Sequence, residues 1–196
     1  MAGLRLHMLV SVDGFMADQG GTVIPGCTWD EKVQRFYSDF FEGSDGVIFG
    51  RKIYNDYVGH WIKVANEKVK AQTGDELRWT RRLRDMPKYV VSNSLKKAAN
   101  NTIVLKKDLL ESIRKLKDES ERGLLLICGP ALVGTLTAAQ LIDEYILYVC
   151  PSVAGKGRHL FSELTETQPD RVVRRWNASA VLHTGIQAVA GIKGGL

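Results

Sequence analysis

The sequence predicts one α/β domain: a mostly parallel central sheet flanked by helices, with an antiparallel C-terminal edge. Short apolar runs alternate with amphipathic helical stretches up to Cys150. That alternation marks a parallel sheet with helices on its faces. Beyond Arg171 only β patterns remain, which predicts the antiparallel edge. Three of the apolar runs also stop at glycine or small polar residues: Val47-Ile-Phe-Gly50-Arg51-Lys52, Tyr89-Val-Val-Ser92-Asn93-Ser94 and Leu125-Leu-Ile-Cys-Gly129-Pro130-Ala131.

The elements follow in order. Residues 4–12 read as a buried strand that exits at Asp13-Gly14. Residues 16–28 hold Gly20, Gly21, Pro25 and Gly26 and read as a loop. Residues 29–41 read as a helix, with Thr28 placed to cap it and Glu31 as the capping-box partner. Val33, Phe36, Tyr37 and Phe40 supply its apolar stripe. A strand at 46–49 leads into a short helix at 51–58. The charged stretch 62–84 reads as helical in part and ends before Pro87. Strands at 89–92 and 102–105 precede an amphipathic helix at 108–120, with Leu109, Leu110, Ile113 and Leu116 on one face. A strand at 124–128 feeds a helix in which Gly129 suits the cap and Pro130 the first position. A strand at 144–150, a loop at 153–157 and β segments near 172–176 and 186–189 complete the chain. No internal repeat or interdomain linker breaks the pattern, so residues 1–196 read as a single domain.

Composition narrows the function classes. A chain of 196 residues buries a substantial core as one domain. No apolar run reaches the length of a membrane span, and no basic region with an apolar stretch opens the chain, so a cytoplasmic protein with no membrane partner is expected. Cys27, Cys128 and Cys150 are scattered, and Cys128 and Cys150 read as small buried hydrophobes. His7, His60, His159 and His183 lack metal spacing and read as structural or surface residues; no metal is expected. The net charge of +5 gathers in 63–70, 78–84 and 96–107. Aromatics are not interleaved there, so a basic surface that attracts an anionic cofactor is favoured over a nucleic-acid footprint. A Gly-x-Ser-x-Gly elbow, a zinc deaminase signature and a Gly-x-Gly-x-x-Gly fingerprint are all lacking.

Strand ends lined along one edge of a parallel sheet suit phosphates, because unpaired N–H groups and helix dipoles point there. Three such ends suit a dinucleotide. Gly50 permits a sharp turn, and Arg51 and Lys52 place positive charge at a helix start, which an anion would offset. Ser92, Asn93 and Lys96 suit a monophosphate such as the ribose 2′-phosphate of NADPH. Pro130 removes one donor but leaves Ala131, Leu132 and Val133 to offer theirs. Alone, each segment also reads as a glycine turn with solvated bases, a polar turn, or a simple helix start.

In order and wording these segments resemble the dihydrofolate reductase superfamily, and within it the reductase domain of riboflavin biosynthesis. The matching pieces are Ser11-Val12-Asp13-Gly14-Phe15-Met16-Ala17, Gly50-Arg51-Lys52-Ile53-Tyr54, Ser92-Asn93-Ser94, Gly129-Pro130-Ala131-Leu132-Val133 and residues 151–161. The resemblance implies a dihydrofolate reductase-like fold and NADPH as cofactor. Gly50, Arg51, Lys52 and Ile53 would bind its phosphates, with Ile53 standing where a hydroxyl residue is usual. Ser92, Asn93 and Lys96 would lie near the adenosine ribose, and Gly129 to Val133 under the pyrophosphate. Asp13, Gly14 and Phe15 would lie beside the nicotinamide and substrate. Phe15 replaces a usual Lys or Arg, which weakens the case for a substrate phosphate at this end. Trp29, Asp30 and Glu31 fall on the helix that supplies a substrate-binding carboxylate. Asp13 and Glu31 are the catalytic candidates. Gly155-Lys156-Gly157 is similar to a glycine-rich segment at the substrate or cofactor edge, and also reads as a plain turn. The implied activity is NADPH-dependent reduction of a heterocyclic small molecule, first of the 5-amino-6-(5-phosphoribosylamino)uracil type, second of a pterin or folate. The alternative of another class is a non-catalytic nucleotide- or nucleic-acid-binding module. Relatives pair through the C-terminal β region, which implies a homodimer.

Overall fold

The computed structural model describes residues 3–22, 30–98 and 101–165 in full, and the backbone alone of 171–178 and 181–187. The chain runs β1 (Leu4–Ser11), β2 (Phe15–Ala17), α1 (Glu31–Glu42) and β3 (Gly46–Gly50). A continuous helical stretch follows: α2 (Arg51–Ile53), a π-turn at Tyr54–Val58 and α3 (Gly59–Ala65). Then come α4 (Gly74–Asp85), β4 (Lys88–Val91), β5 (Thr102–Leu105), α5 (Leu109–Asp118), β6 (Leu124–Ile127) and α6 (Pro130–Ala138). The chain closes with β7 (Glu144–Cys150), β8 (Arg158–His159), β9 (Arg171–Ala178) and β10 (Val181–Gln187).

The main sheet has the order β5-β4-β3-β6-β1-β7-β10-β9. Neighbours from β5 to β7 are parallel. Strand β10 is antiparallel to both β7 and β9. The expected fold class is therefore observed. Residues near 16, expected in a loop, include β2, which pairs antiparallel with β8.

Burial explains the central order. All of β6 is buried, as are Val47, Ile48 and Phe49 of β3 and Leu4, Leu6, Met8 and Val10 of β1. Helix α1 covers this sheet with Val33, Tyr37, Phe40 and Phe41. Its cap is Asp30, whose Oδ1 accepts from Val33 N–H at 3.0 Å. The expectation placed the cap at Thr28, which lies outside the described residues. Helix α4 opens with Thr73 as its cap: Thr73 Oγ1 accepts from Glu76 N–H, and Glu76 Oε2 accepts from the N–H of Gln72, just before the cap. A buried polar chain joins the two helices. Trp79 Nε1–H donates to Gln34 Oε1 at 3.0 Å, and Gln34 Nε2–H reaches Glu76 Oε1 at 3.5 Å. The helical stretch after β3 runs past its expected end at residue 58, with the π-turn inside it.

Charged residues close the end where the parallel strands begin. Asp45 accepts from Ser120 Oγ–H and from the N–H groups of Glu121 and Arg122, and it pairs with Arg122 Nε at 2.7 Å. These donors hold its carboxyl down at about 2. Lys88 is fully buried, and its Nζ donates to the carbonyls of Leu83, Arg84 and Met86 at 2.8–2.9 Å. It thereby satisfies orphan carbonyls at the end of α4. Asp143 accepts from Leu4 N–H and pairs with Lys117 at 2.6 Å. Cys128 is a free buried thiol, as expected, and burial pushes it well above the usual thiol range. Cys150 was expected to be free as well but is disulfide-bonded. No described helix is long and apolar enough to cross a membrane.

Candidate active site

Parallel pairing brings the strand ends together. Gly50 pairs with Val91 across β3 and β4, and Phe49 with Ile127 across β3 and β6. Ser11 pairs with Cys150 across β1 and β7. Gly50, Ser92, Gly129 and Asp13 therefore all lie along the carboxyl edge of one sheet. Helix α1 leads into β3, so Asp30 and Glu31 at its start lie at this edge too.

Gly50 and Gly129 are adjacent. A Cβ on Gly50 would stand 3.6 Å from Gly129 N. Gly50 has φ −74°, which any residue adopts, so its role is the missing side chain rather than a special turn. A Cβ on Gly129 would meet nothing within 4 Å, so the turn faces open space. Two expected donors are spent here: Leu132 N–H and Val133 N–H both bond to Gly129 O, at 3.2 and 3.1 Å. Pro130 has no N–H, so Ala131 N–H is left without a partner in this first turn among the described residues.

Arg51 and Lys52 are exposed at the helix start, Ile53 is half-buried, and among the described residues neither base makes an ion pair. Ser92 is buried, and its Oγ accepts from Leu95 N–H at 3.0 Å. It shapes the turn, which leaves Asn93, Ser94 and Lys96 exposed for a ligand. A dinucleotide fits these groups: an open glycine turn, an orphan N–H, uncompensated bases and exposed polar side chains.

The end of β1 is latched to the loop after β7. Asp13 Oδ1 accepts from Ser11 Oγ–H at 2.6 Å and Ala154 N–H at 3.0 Å, and Oδ2 accepts from Gly155 N–H at 2.7 Å. The Ser11 hydrogen bond, then the backbone donors, hold the Asp13 carboxyl down at about 2. Ser11 Oγ also accepts from Phe15 N–H. Gly157 has φ +144°, and a Cβ there would stand 2.2 Å from Ala17 O. Only glycine lets this loop lie on β2. The Gly155-Lys156-Gly157 segment is thus a built turn carrying an exposed lysine.

Of the carboxylates at the start of α1, Asp30 is spent as the cap and Glu31 is exposed. Trp29 lies outside the described residues. Trp61 packs on Trp79 with centroids 4.6 Å apart, half-buried in the core. His159 was read from the sequence as a structural or surface residue. Its ring meets Phe15 edge-on at 5.3 Å, beside the β1 exit. A two-residue strand carries no periodicity, so only the Gly155-x-Gly157 spacing hinted at a packed segment there.

The model of the RibD C-terminal domain matches residues 2–187. The chain belongs to the RibD C-terminal domain family. Two Bacillus subtilis (strain 168) relatives agree in extent. Uncharacterized protein YyaP is 29% identical over 161 residues, covering 82% of this chain and 81% of its own. Uncharacterized protein YwjB is 28% identical over 161 residues, covering 82% and 83%. Solved structures share the fold. A Shewanella sp. PV-4 protein assigned to riboflavin biosynthesis superposes with TM-score 0.73 at 20% identity, over 97% of this chain and 100% of that one. The Thermotoga maritima deaminase/5-amino-6-(5-phosphoribosylamino)uracil reductase gives 0.67 at 15% identity, over 96% of this chain and 57% of that one. Dihydrofolate reductase from Enterococcus faecalis, complexed with NADP(H), gives 0.55 at 13% identity, over 94% and 95%. This RibD C-terminal domain thus has a dihydrofolate reductase-like fold, as its sequence predicts.

Proposed function

We propose that this protein is an NADPH-dependent reductase whose substrate is a 5-amino-6-(5-phosphoribosylamino)uracil-type heterocycle. The observation that carries the reading is the adjacency of Gly50 and Gly129 on an edge that also holds Ser92 and Asp13. When bound, the cofactor supplies a hydride to an acceptor carbon. The protein's part is to bind and orient. Ala131 N–H and the open Gly129 turn receive the pyrophosphate, with Arg51 and Lys52 beside them. Asn93, Ser94 and Lys96 receive the 2′-phosphate. Asp13 is ionised at neutral pH with its oxygens engaged, so it shapes the substrate end rather than donating a proton. Glu31, exposed at the start of α1, is the carboxylate left to assist protonation.

Fluorescence titration tests the cofactor. NADPH should bind about tenfold more tightly than NADH at low salt, the scale of one charge-assisted contact, with the gap narrowing as salt rises. Equal affinities at low salt would remove the 2′-phosphate assignment. NADPH oxidation with the uracil intermediate should exceed that with dihydrofolate; the reverse order would make the protein a pterin reductase.

The assembly we propose is a homodimer through the β9–β10 edge. The apolar pattern of Val172, Val173, Trp176, Val181, Leu182 and Ile186, whose side chains lie outside the described residues, supports it. Light scattering at micromolar concentration should give twice the chain mass; a monomer mass would refute it.

A further inference from the structure

We propose that His159 is the substrate-facing hydrogen-bond donor of this site, offering Nε2–H to an oxygen of the bound heterocycle. The inference rests on the reductase reading and adds to it a residue that contacts substrate. Three polar side chains at the substrate end are already committed to protein. Asp13 is an ionised acceptor with both oxygens engaged. Asp30 caps α1. The Ser11 hydroxyl donates to Asp13. None of these three offers a free donor to a substrate oxygen at the end of β1; the nearby donors are the exposed, flexible Lys156 and the fixed ring of His159.

His159 is built for that task. Its Nδ1 accepts from Phe161 N–H at 3.2 Å. In the neutral imidazole this places the proton on Nε2. The ring is held from three directions. Phe15 meets it edge-on at 5.3 Å with planes at 83°. Leu160 N–H donates to Gly14 O at 3.0 Å and fixes the backbone beside it. Gly14 forms the floor: its φ is +84°, and a Cβ there would stand 2.6 Å from Nε2. The glycine at position 14 thus makes room for the imidazole. The ring is half-exposed, and among the described residues its Nε2 meets no hydrogen-bond partner. An oriented and unspent donor beside the end of a central strand is the arrangement a binding site uses, since little ordering is left to do when the ligand arrives.

The acceptor is an oxygen, and two parts of the proposed substrate carry one: the uracil ring and the phosphate. The test uses 5-amino-6-(5-phosphoribosylamino)uracil and its dephosphorylated form as probes, on the full chain with NADPH bound. Probe affinity and NADPH oxidation are both measured for wild type, His159→Ala and His159→Gln. NADPH affinity should stay within about twofold in both variants. His159→Ala should lower kcat/KM, or probe affinity where binding alone is seen, by about tenfold, the scale of one lost hydrogen bond to a substrate. His159→Gln keeps an N–H donor and should recover part of the loss. A deficit that persists with the dephosphorylated probe assigns the contact to the ring; one that vanishes assigns it to the phosphate. In ¹⁵N spectra, His159 should show the proton on Nε2, and that signal should shift when probe is added. Wild-type behaviour of His159→Ala towards both probes overturns the proposal, as does the opposite tautomer. Failure of wild type to bind NADPH overturns the reductase reading itself, and this inference with it. NADPH binding without affinity for either probe overturns the substrate class and the role of His159 together.

Discussion

Where the parallel strands begin, Asp45, Asp143 and Lys88 are all bonded to protein, and Arg5 donates to Gly43 O and Ser44 Oγ. Where the same strands finish, Arg51, Lys52, Lys96 and Lys156 are exposed and make no ion pair among the described residues. One sheet thus has two chemically different ends. At the first, charge ties strand starts to helix ends and serves stability. At the second, the bases are left exposed to solvent. Asp13 and Asp30 are exceptions at the second end, since one carboxylate is used as a latch and the other as a helix cap.

The comparison predicts that the two ends fail differently. The largest effect should come from Gly129→Asp. Aspartate at a helix N-cap is favourable, and no atom blocks its Cβ, so the fold and Tm should hold. A negative charge against the cofactor phosphates should weaken NADPH binding about a hundredfold or more. Normal binding by the folded variant would show that this turn is not the pyrophosphate site. Next, Lys88→Met should cost about 2–4 kcal/mol in urea unfolding, because buried carbonyls of α4 lose their donor. NADPH affinity should stay unchanged, and a loss of affinity at full stability would break the division between the ends.

The smallest effect concerns acid. Asp13 and Asp45 are held at about 2, below the ordinary carboxylate value of 3.8. A carboxyl with a lowered folded-state pKa contributes stability that is present above about pH 4 and is lost as pH falls towards 2. Asp45→Asn and Asp13→Asn should each flatten the stability profile in that window. Only Asp13→Asn should also alter substrate turnover. An unchanged acid profile in both would mean that these hydrogen bonds do not persist in solution.

The shared edge of strand ends was legible because glycine, small polar residues and bases mark strand ends in a way that spacing alone reveals. Gly50, Ser92 and Gly129 do fall along one edge. What spacing could not reveal was how each donor is used. Ser92 and Val133 look available as residue types, yet one shapes a turn and the other closes it. Asp30 displaced Thr28 as the expected cap because candidates two residues apart look alike until the chain path is known. The β2–β8 ladder escaped notice, and His159 was read only as a structural or surface residue, for a different reason. They join segments far apart in the chain, through pairs too few to leave a repeat.

The strand order has a consequence for synthesis. Strand β1 is made before the other described strands, yet its two neighbours are β6 and β7, where Leu4 meets Leu124 and Arg5 meets Glu144. Strands β3, β4 and β5 pair with one another and come earlier, so that half of the sheet is able to assemble while β1 waits. Contacts so distant in sequence make folding slow, and meanwhile the apolar side chains of Leu4, Leu6, Met8 and Val10 have no sheet to enter. The nascent chain must carry this apolar strand unpaired until β6 and β7 have been made.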